Sequence, residues 1–253
     1  MRSLGYFAGE LPPGRERVLP TGDTCLFVNL FEDEIRTYEG DTVHRTRGAV
    51  LLGPRSRSQV IDTEEQRCLV EVDFELGGAS RFFSVPVSAA QNELVELGEL
   101  WGRDGATLRE RLLEASSPEE KLRVVEDVLL DRIARSLEPD PAIAFAVAAF
   151  ERGASVASVG SRLGWLPKTF VRRFRGRIGM APKEFSRVRR LQRVLRGVAR
   201  ADEPSWAEVA AEHGFCDQSH LIHDFRELAG VTPTAYAPRS ASEWNHVPLA
   251  SPP

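Results

Sequence analysis

The stretch KTFVRRFRGR, which begins at Lys168, carries side chains suited to contact with a polyanion. Its lysine and arginines can donate hydrogen bonds to phosphate oxygens and to guanine edges. Phe170 and Phe174 are four residues apart and would share one helix face, so the basic side chains remain for the opposite face. The pattern predicts an amphipathic helix with a basic surface. Taken alone, it is equally typical of an ordinary surface helix with hydrated arginines.

The elements around this stretch occur twice in the chain. FRGRIGMAPKEF begins at Phe174 and FRELAGVTPTAY at Phe225, and each has glycine at +5, proline at +8 and an aromatic residue at +11. Upstream, SVASVGSRLGW from Ser155 corresponds to SWAEVAAEHGF from Ser205. Each copy reads as a cap, a short helix, a glycine turn, a second helix, and then glycine, proline and a third helix. Two matched copies favour a duplicated helix-turn-helix, in which the second helix of each unit enters the DNA major groove.

Residues 141–238 resemble the DNA-binding domain of AraC/XylS-type bacterial transcription regulators. The resemblance is carried by a weaker first motif and by GFCDQSHLIHDFRELAGVTPTAY in the second. It implies two helix-turn-helix units joined by a long helix within MAPKEFSRVRRLQRVLRGVAR. The residues expected to be buried in that helix are Val188, Leu191, Leu195 and Val198, and the arginines between them are expected to face solvent or phosphate.

The resemblance also assigns roles to single residues. The base-reading positions are Lys168, Val171 and Arg172 in the first recognition helix and Gln218, Ser219, Ile222 and His223 in the second. Phosphate contacts are expected from Thr169, Arg173 and Arg175. The turns and cores of the motifs are expected to use Gly164, Phe170, Phe174, Gly214, Phe215, Leu221, Phe225, Pro182 and Pro233.

The chain departs from the family pattern at three places. Leu166 and Ala181 precede Pro167 and Pro182, where a capping residue is usual. A missing cap costs a helix on the order of 1 kcal/mol, so the first recognition helix is expected to be weakened at its start. The pair Ile222–His223 stands where a polar residue and an arginine are common, which weakens the expected base reading by the second motif.

Charge is distributed unevenly along the 253 residues. Residues 151–240 carry 16 Lys and Arg against 9 Asp and Glu, whereas the remainder carries 17 against 28. A basic segment joined to an acidic body indicates that only one part of the chain meets a polyanion. The chain has no apolar run of the roughly 20 residues that a membrane span needs, and its N-terminus does not resemble a signal peptide. We therefore expect a cytoplasmic protein without a membrane partner.

The N-terminal part is predicted to be rich in β-strands. RCLVEVDFEL alternates, so that Cys68, Val70, Val72, Phe74 and Leu76 share one face, and Glu71, Asp73 and Glu75 share the other. From about Ser88 the pattern becomes helical, most clearly in SPEEKLRVVEDVLLDRIARSL, where Leu122, Val125, Leu129 and Ile133 form an apolar face behind a capping box that starts at Ser117.

The predicted fold class is α+β. It combines an N-terminal β-barrel or sandwich with following helices and an all-α C-terminal domain of two helix-turn-helix motifs. The predicted domains are 1–138 and 139–238, separated at EPDP (138–141), and 239–253 is expected to be a flexible tail.

The N-terminal domain resembles the cupin-like sensing domains of such regulators, which bind an effector, dimerise, or do both. Residues 1–150 contain a single histidine, His44, which argues against a histidine-rich metal site. Cys25 and Cys68 are expected in the core, and Cys216 as a redox sensor is a minor alternative. We therefore predict no catalytic residues, no metal and no cofactor.

The predicted function is a regulator that binds double-stranded DNA and responds to a small-molecule effector. RNA polymerase is a further expected partner if the protein activates transcription, and a homodimer is left open. Two alternatives also stay open: a small-molecule barrel enzyme fused to a DNA-binding domain, and a regulator whose N-terminal domain only dimerises.

Overall fold

The computed structural model describes residues 1–133, 140–201 and 204–249. In these residues the strands are β1 (Ser3–Ala8), β2 (Arg15–Val18), β3 (Cys25–Asn29), β4 (Ile35–Glu39), β5 (Thr42–Thr46), β6 (Ala49–Leu52), β7 (Gln59–Asp62), β8 (Cys68–Asp73), β9 (Leu94–Glu96) and β10 (His246–Leu249). The helices are α1 (Leu97–Trp101), α2 (Arg103–Ala106), α3 (Leu108–Glu114), α4 (Pro118–Arg132), α5 (Pro141–Glu151), α6 (Val156–Leu163), α7 (Pro167–Ile178), α8 (Pro182–Val198), α9 (Trp206–Glu212) and α10 (Gln218–Ala229). None of these helices has the length and apolar character that crossing a membrane requires.

The strands form two antiparallel sheets of five strands each. One sheet has the order β1-β8-β3-β6-β9 and the other β10-β2-β7-β4-β5. Helices α1 to α4 follow β9 in the chain and pack on the first sheet, and α5 to α10 form the C-terminal helical domain. The predicted α+β fold class is confirmed.

Strand β8 shows how the alternating pattern is used. Val70, Val72 and Phe74 are buried in the core between the first sheet and α1 to α4. Glu71 and Asp73, on the other face, point into a space between the two sheets. The acidic face of this strand therefore lies inside the β-sandwich.

Helix α4 begins as predicted and ends early. The Ser117 side chain accepts a hydrogen bond from the backbone N–H of Glu120, and Pro118 is the first helical residue. Val125 and Leu129 are buried, but Ile133 is 38% exposed because the helix ends at Arg132, so its predicted place on the apolar face is wrong. The first two residues of the predicted linker 138–141, and the boundary between 138 and 139, lie outside the described residues.

The two helix-turn-helix units begin and end with the repeated residues. Ser155 caps α6 and Ser205 caps α9 through the same side-chain contact with a backbone N–H three residues on. Beyond α10, however, the predicted third helix of the second unit is only a 3₁₀ turn at Pro233–Ala235. Pro238 follows closely, and since proline disfavours helical geometry at the preceding residue, the turn cannot extend.

The C-terminal segment is part of the N-terminal sandwich. Strand β10 pairs antiparallel with β2, from His246 opposite Val18 to Leu249 opposite Arg15. The fully buried Glu16 carboxylate binds the side chains of Gln66, Arg239 and His246. The predicted flexible tail over 239–253 is therefore wrong for the described residues 239–249.

Candidate nucleic-acid interface and interdomain cavity

Helix α7 presents the three predicted base-reading residues of the first motif to solvent. Lys168, Val171 and Arg172 are exposed, whereas Phe170 and Phe174 are buried against α5 and α8. The helix starts at Pro167 without a side-chain cap, and Leu166 is 75% exposed there. The predicted lack of a cap at Leu166 is thus present in the structure.

The predicted phosphate contacts of the first motif differ in their surroundings. Arg175 is exposed and Thr169 is half-buried. Arg173 is held by the protein itself, because its guanidinium lies 3.3 Å from Asp140 and stacks over the Trp165 ring at 4.4 Å. Since the Arg175 side chain makes no hydrogen bond or salt bridge within the described residues, a phosphate can approach it without displacing Asp140, as it would have to do at Arg173.

Helix α10 presents the second predicted set. Gln218, Ser219, Ile222 and His223 are all exposed on it. Leu221 and Phe225 are buried on the opposite face. The Asp217 side chain caps the helix by accepting a hydrogen bond from the His220 backbone N–H at 2.7 Å, so this recognition helix starts with the cap that α7 lacks.

The predicted turn residues have the geometry that the motif needs. Gly164 has a φ of 63° and Gly214 a φ of 72°, values that favour glycine, and each lies between the two helices of its unit. Phe215 is half-buried beside Gly214. Pro182 and Pro233 are buried and open α8 and the final 3₁₀ turn.

Helix α8 is the junction between the two units, and not all of its arginines behave as predicted. The four residues expected to be buried, Val188, Leu191, Leu195 and Val198, are buried. Arg187 and Arg190, however, bind the buried Asp224 carboxylate of α10 at 2.8 and 2.7 Å. Arg189 is 93% buried and reaches Glu151 and the backbone oxygen of Thr21. The expectation of solvent or phosphate contact is therefore wrong for Arg189 and Arg190, whereas Arg196 is exposed as predicted.

A cavity of about 490 Å³ lies between the two sheets, and α8 lines one side of it. The first sheet lines it with Cys25, Phe27 and Glu71, among others. Gln192 of α8 lies in the cavity wall, where it donates hydrogen bonds to the Pro20 backbone oxygen and the Asn245 side chain. The helix that joins the two DNA-binding units is therefore also a wall of this cavity.

Two carboxyl groups in the cavity have altered acidity. Desolvation within the cavity raises the pKa of Glu71, although the residue keeps exposed surface there, and its carboxylate accepts a hydrogen bond from the Cys25 thiol at 3.1 Å. Burial also raises the pKa of Glu65 to about 7, although Arg36 donates hydrogen bonds to it. Cys25, which we predicted to be a core residue, is buried but directs its thiol toward Glu71 in the cavity wall.

Cys25, Glu71 and Asp73 bring potential metal-ligand atoms within 4.8 Å of one another. Two features of these residues disfavour a metal ion at this place. Burial raises the pKa of the Cys25 thiol well above its usual value, which disfavours the thiolate form that binds metals. The Asp73 carboxylate is paired with Arg2 at 3.2 Å.

Residues 159–239 match the family model described as a helix-turn-helix domain, which is of the AraC type. Among solved structures, the 1.65 Å structure of ToxT from Vibrio cholerae is similar, with 12% sequence identity, a TM-score of 0.46, and coverage of 92% of this chain and 96% of that chain. A ToxT structure from Vibrio cholerae O395 bound to (E)-4-(8-methylnaphthalen-1-yl)but-3-enoic acid has 12% identity and a TM-score of 0.46, and the coverage is 93% of this chain and 98% of that chain. No curated protein sequence matches the chain.

Proposed function

We propose that this chain, whose residues 159–239 form an AraC-type helix-turn-helix domain, is a sequence-specific DNA-binding transcription regulator. One observation carries the proposal: all seven predicted base-reading residues are exposed, and the aromatic and aliphatic residues between them are buried. Surface helices with no binding role would have no reason to repeat, in two duplicated units, the same separation of exposed polar residues from buried apolar ones. Because its proposed partner is chromosomal DNA, the protein is proposed to act in the cytoplasm.

In this proposal the two recognition helices read adjacent segments of the major groove. Lys168 and Arg172 on α7 donate to guanine edges, and Val171 contacts a thymine methyl group. On α10, Gln218 can bond bidentately to adenine, and Ile222 supplies the apolar contact. Arg175 binds a phosphate and sets the position of α7 without specifying a base.

The proposal also gives the cavity the role of an effector site. The wall of the cavity combines apolar, acidic and basic side chains, and α8 forms one side of it. A sandwich that served only for dimerisation would be expected to fill this space with side chains, so the cavity favours an effector. A homodimer and, for an activator, a contact with RNA polymerase stay predictions.

The function is tested by selection of random duplexes with the full chain, followed by affinity measurements on the enriched sequence at several salt concentrations. We expect enrichment of one sequence and a steep loss of affinity with salt, since each neutralised phosphate contributes about −0.9 to the log–log slope. Arg175→Ala is expected to weaken binding to all sequences alike and to reduce the slope by about 1.

Arg111→Ala is the matched control, because Arg111 is an exposed arginine on α3 in the N-terminal domain. It should leave both affinity and slope unchanged. If no sequence is enriched, or if Arg111→Ala and Arg175→Ala change the slope equally, the assignment of the interface to α7 is wrong.

A further inference from the structure

The loop between β6 and β7, residues 53–58, touches the ends of both recognition helices; we refer to it as the β6–β7 loop. At the end of α7, Gly179 has a φ of 91°, and a Cβ added to it would lie 2.6 Å from Cγ of Pro54. Because no real Cβ comes this close to a neighbour, the fit between loop and helix end requires glycine.

The same loop meets the end of α10. The backbone N–H of Ser58 donates a hydrogen bond to the backbone oxygen of Leu228 at 2.9 Å. Gly230 follows with a φ of 69°, and a Cβ added there would lie 2.6 Å from Nη1 of Arg17, which donates a hydrogen bond to Ser58, and 2.8 Å from Oγ of Ser58 itself. Gly179 and Gly230 are the equivalent glycines of the sequence repeat, so each copy of the motif rests on this loop through the same residue.

Arg55 lies in the middle of the loop and lines the cavity. Its Nε is buried without a hydrogen-bond partner, and its one hydrogen bond is a 3.4 Å contact with the backbone oxygen of Asn92. Burial, together with the nearby charge of Arg57, lowers the pKa of Arg55 to about 10. In the part of the chain that the structure describes, no carboxylate forms a salt bridge with this guanidinium, and the charge of Glu93, which raises the pKa of Arg55, only partly offsets the effect of burial.

Two other arginines of the cavity wall have the carboxylate partner that Arg55 lacks. Arg2 pairs with Asp73, and Arg189 pairs with Glu151. Arg55 is half-buried, with its Nε buried and no salt bridge, and such a guanidinium favours an anionic ligand, since a carboxylate there would replace the water that the guanidinium has lost.

The wall near Arg55 is apolar. Leu52 of β6 pairs with Cys25 of β3 on one side and with Leu94 of β9 on the other, and all three residues line the cavity. Phe27 lies further along β3 on the same side. A ligand with its acidic group at Arg55 would thus place its remaining atoms against hydrocarbon.

We propose that Arg55 binds the acidic group of an organic acid with an apolar body, and that the β6–β7 loop passes its occupancy to both recognition helices. The ligand changes how Pro54 and Ser58 sit against the ends of α7 and α10, and so changes the relative position of the two DNA-binding units. The second half of this proposal rests on the proposed function, and the first half does not.

Binding is tested with two probes that share a ring system: 8-anilinonaphthalene-1-sulfonate, which is an anion, and N-phenyl-1-naphthylamine, which is neutral. Fluorescence titration of the full chain should show that Arg55→Gln weakens the anionic probe about tenfold or more, as expected for loss of a hydrogen bond to a charged group, and changes the neutral probe less than twofold. Arg55→Lys should retain part of the affinity because it keeps the charge.

Arg57→Gln is the matched control, because Arg57 lies on the same loop and is exposed. It lines the adjoining polar cleft, which shares Arg55 with the cavity, but it does not line the cavity. This variant should leave both probes unchanged. If Arg57→Gln weakens the anionic probe as much as Arg55→Gln does, or if Arg55→Gln weakens both probes equally, the assignment of Arg55 is wrong.

Coupling is tested by measuring affinity for the selected duplex with and without the anionic probe. The probe should change DNA affinity in the wild-type chain by roughly 5-fold or more, and DNA should change probe affinity by the same factor. Arg55→Gln should abolish the coupling. If the probe binds at Arg55 but no duplex is selected, the proposed function fails and the binding site stands; if duplex binding is normal and unaffected by the probe, the coupling through the loop is wrong.

Discussion

Phe174→Ala is expected to destabilise the first helix-turn-helix unit by about 3–5 kcal/mol, the usual cost of removing a fully buried phenylalanine. The ring is fully buried and lies 5.6 Å from Phe150, 5.8 Å from Phe170 and 5.4 Å from Phe185, measured between ring centroids. It therefore joins α5, α7 and α8, and alanine would leave a cavity where the three helices meet. Denaturant unfolding followed by far-UV circular dichroism measures the loss.

Val171→Ala is the control on the same helix. Val171 is 44% exposed, and alanine is the better helix former, so stability should change by less than about 0.5 kcal/mol. DNA affinity should nevertheless fall, because Val171 is predicted to read a base. If the two variants were equally stable, the assignment of Phe174 to the buried face of α7 and of Val171 to its exposed face would be wrong.

Asp224→Ala is expected to destabilise the junction between α8 and α10 by about 3 kcal/mol. The carboxylate is buried and binds Arg187 and Arg190, so its removal takes the carboxylate partner from Arg190 and leaves Arg187 with Glu227 alone. The lower end of the range for a broken buried ion pair applies, since the two arginines keep 24% and 20% of their side-chain surface exposed.

The effect of Asp224 should depend on pH in a defined direction. Burial alone would raise the pKa of Asp224, but the hydrogen bonds and charges of Arg187 and Arg190 outweigh it and lower the pKa below its usual value. The stabilisation is therefore fully present above the unfolded-state pKa of about 3.9 and is lost as the pH falls through the folded-state pKa. The difference in unfolding free energy between wild type and Asp224→Ala should be constant near pH 7 and shrink in acid.

Glu227→Gln provides the comparison for Asp224. Glu227 also binds Arg187, at 2.5 Å, but it is 52% exposed, so its loss should cost less than about 1 kcal/mol. If the Glu227 and Asp224 variants lose the same stability, the buried carboxylate is not what joins α8 to α10.

The sequence is most informative where a short pattern determines local structure. The caps at Ser155 and Ser205 and the glycines at 164 and 214 are specified by residue type, so the first two helices of each unit can be predicted from spacing alone. The exposure of Lys168 and Arg172 follows from the positions of Phe170 and Phe174, because helix periodicity fixes the opposite face.

Contacts between distant segments are what the sequence does not reveal. The arginines of α8 look like a solvent-facing or phosphate-facing stripe until Asp224 and Thr21 are brought beside them by the fold. Strand β10 is short, and its partner β2 lies more than 200 residues earlier, so no local signal distinguishes it from a tail. Glu71 and Asp73 alternate like surface residues because the cavity, like solvent, accepts polar groups.

The central claim is that two recognition helices read two separate base segments. Competition binding on a randomised duplex library, with Arg172→Ala and His223→Ala compared with the wild-type chain at pH 7.5, tests it most directly. We expect two blocks of base preference: Arg172→Ala should cost about 1–3 kcal/mol and flatten one block, and His223→Ala should flatten the other by less, since arginine can bond bidentately to a guanine edge and an imidazole ring cannot. A single block, or two variants that flatten the same positions, would contradict the claim, and a larger loss of preference in His223→Ala would reverse the expected dominance of the first motif.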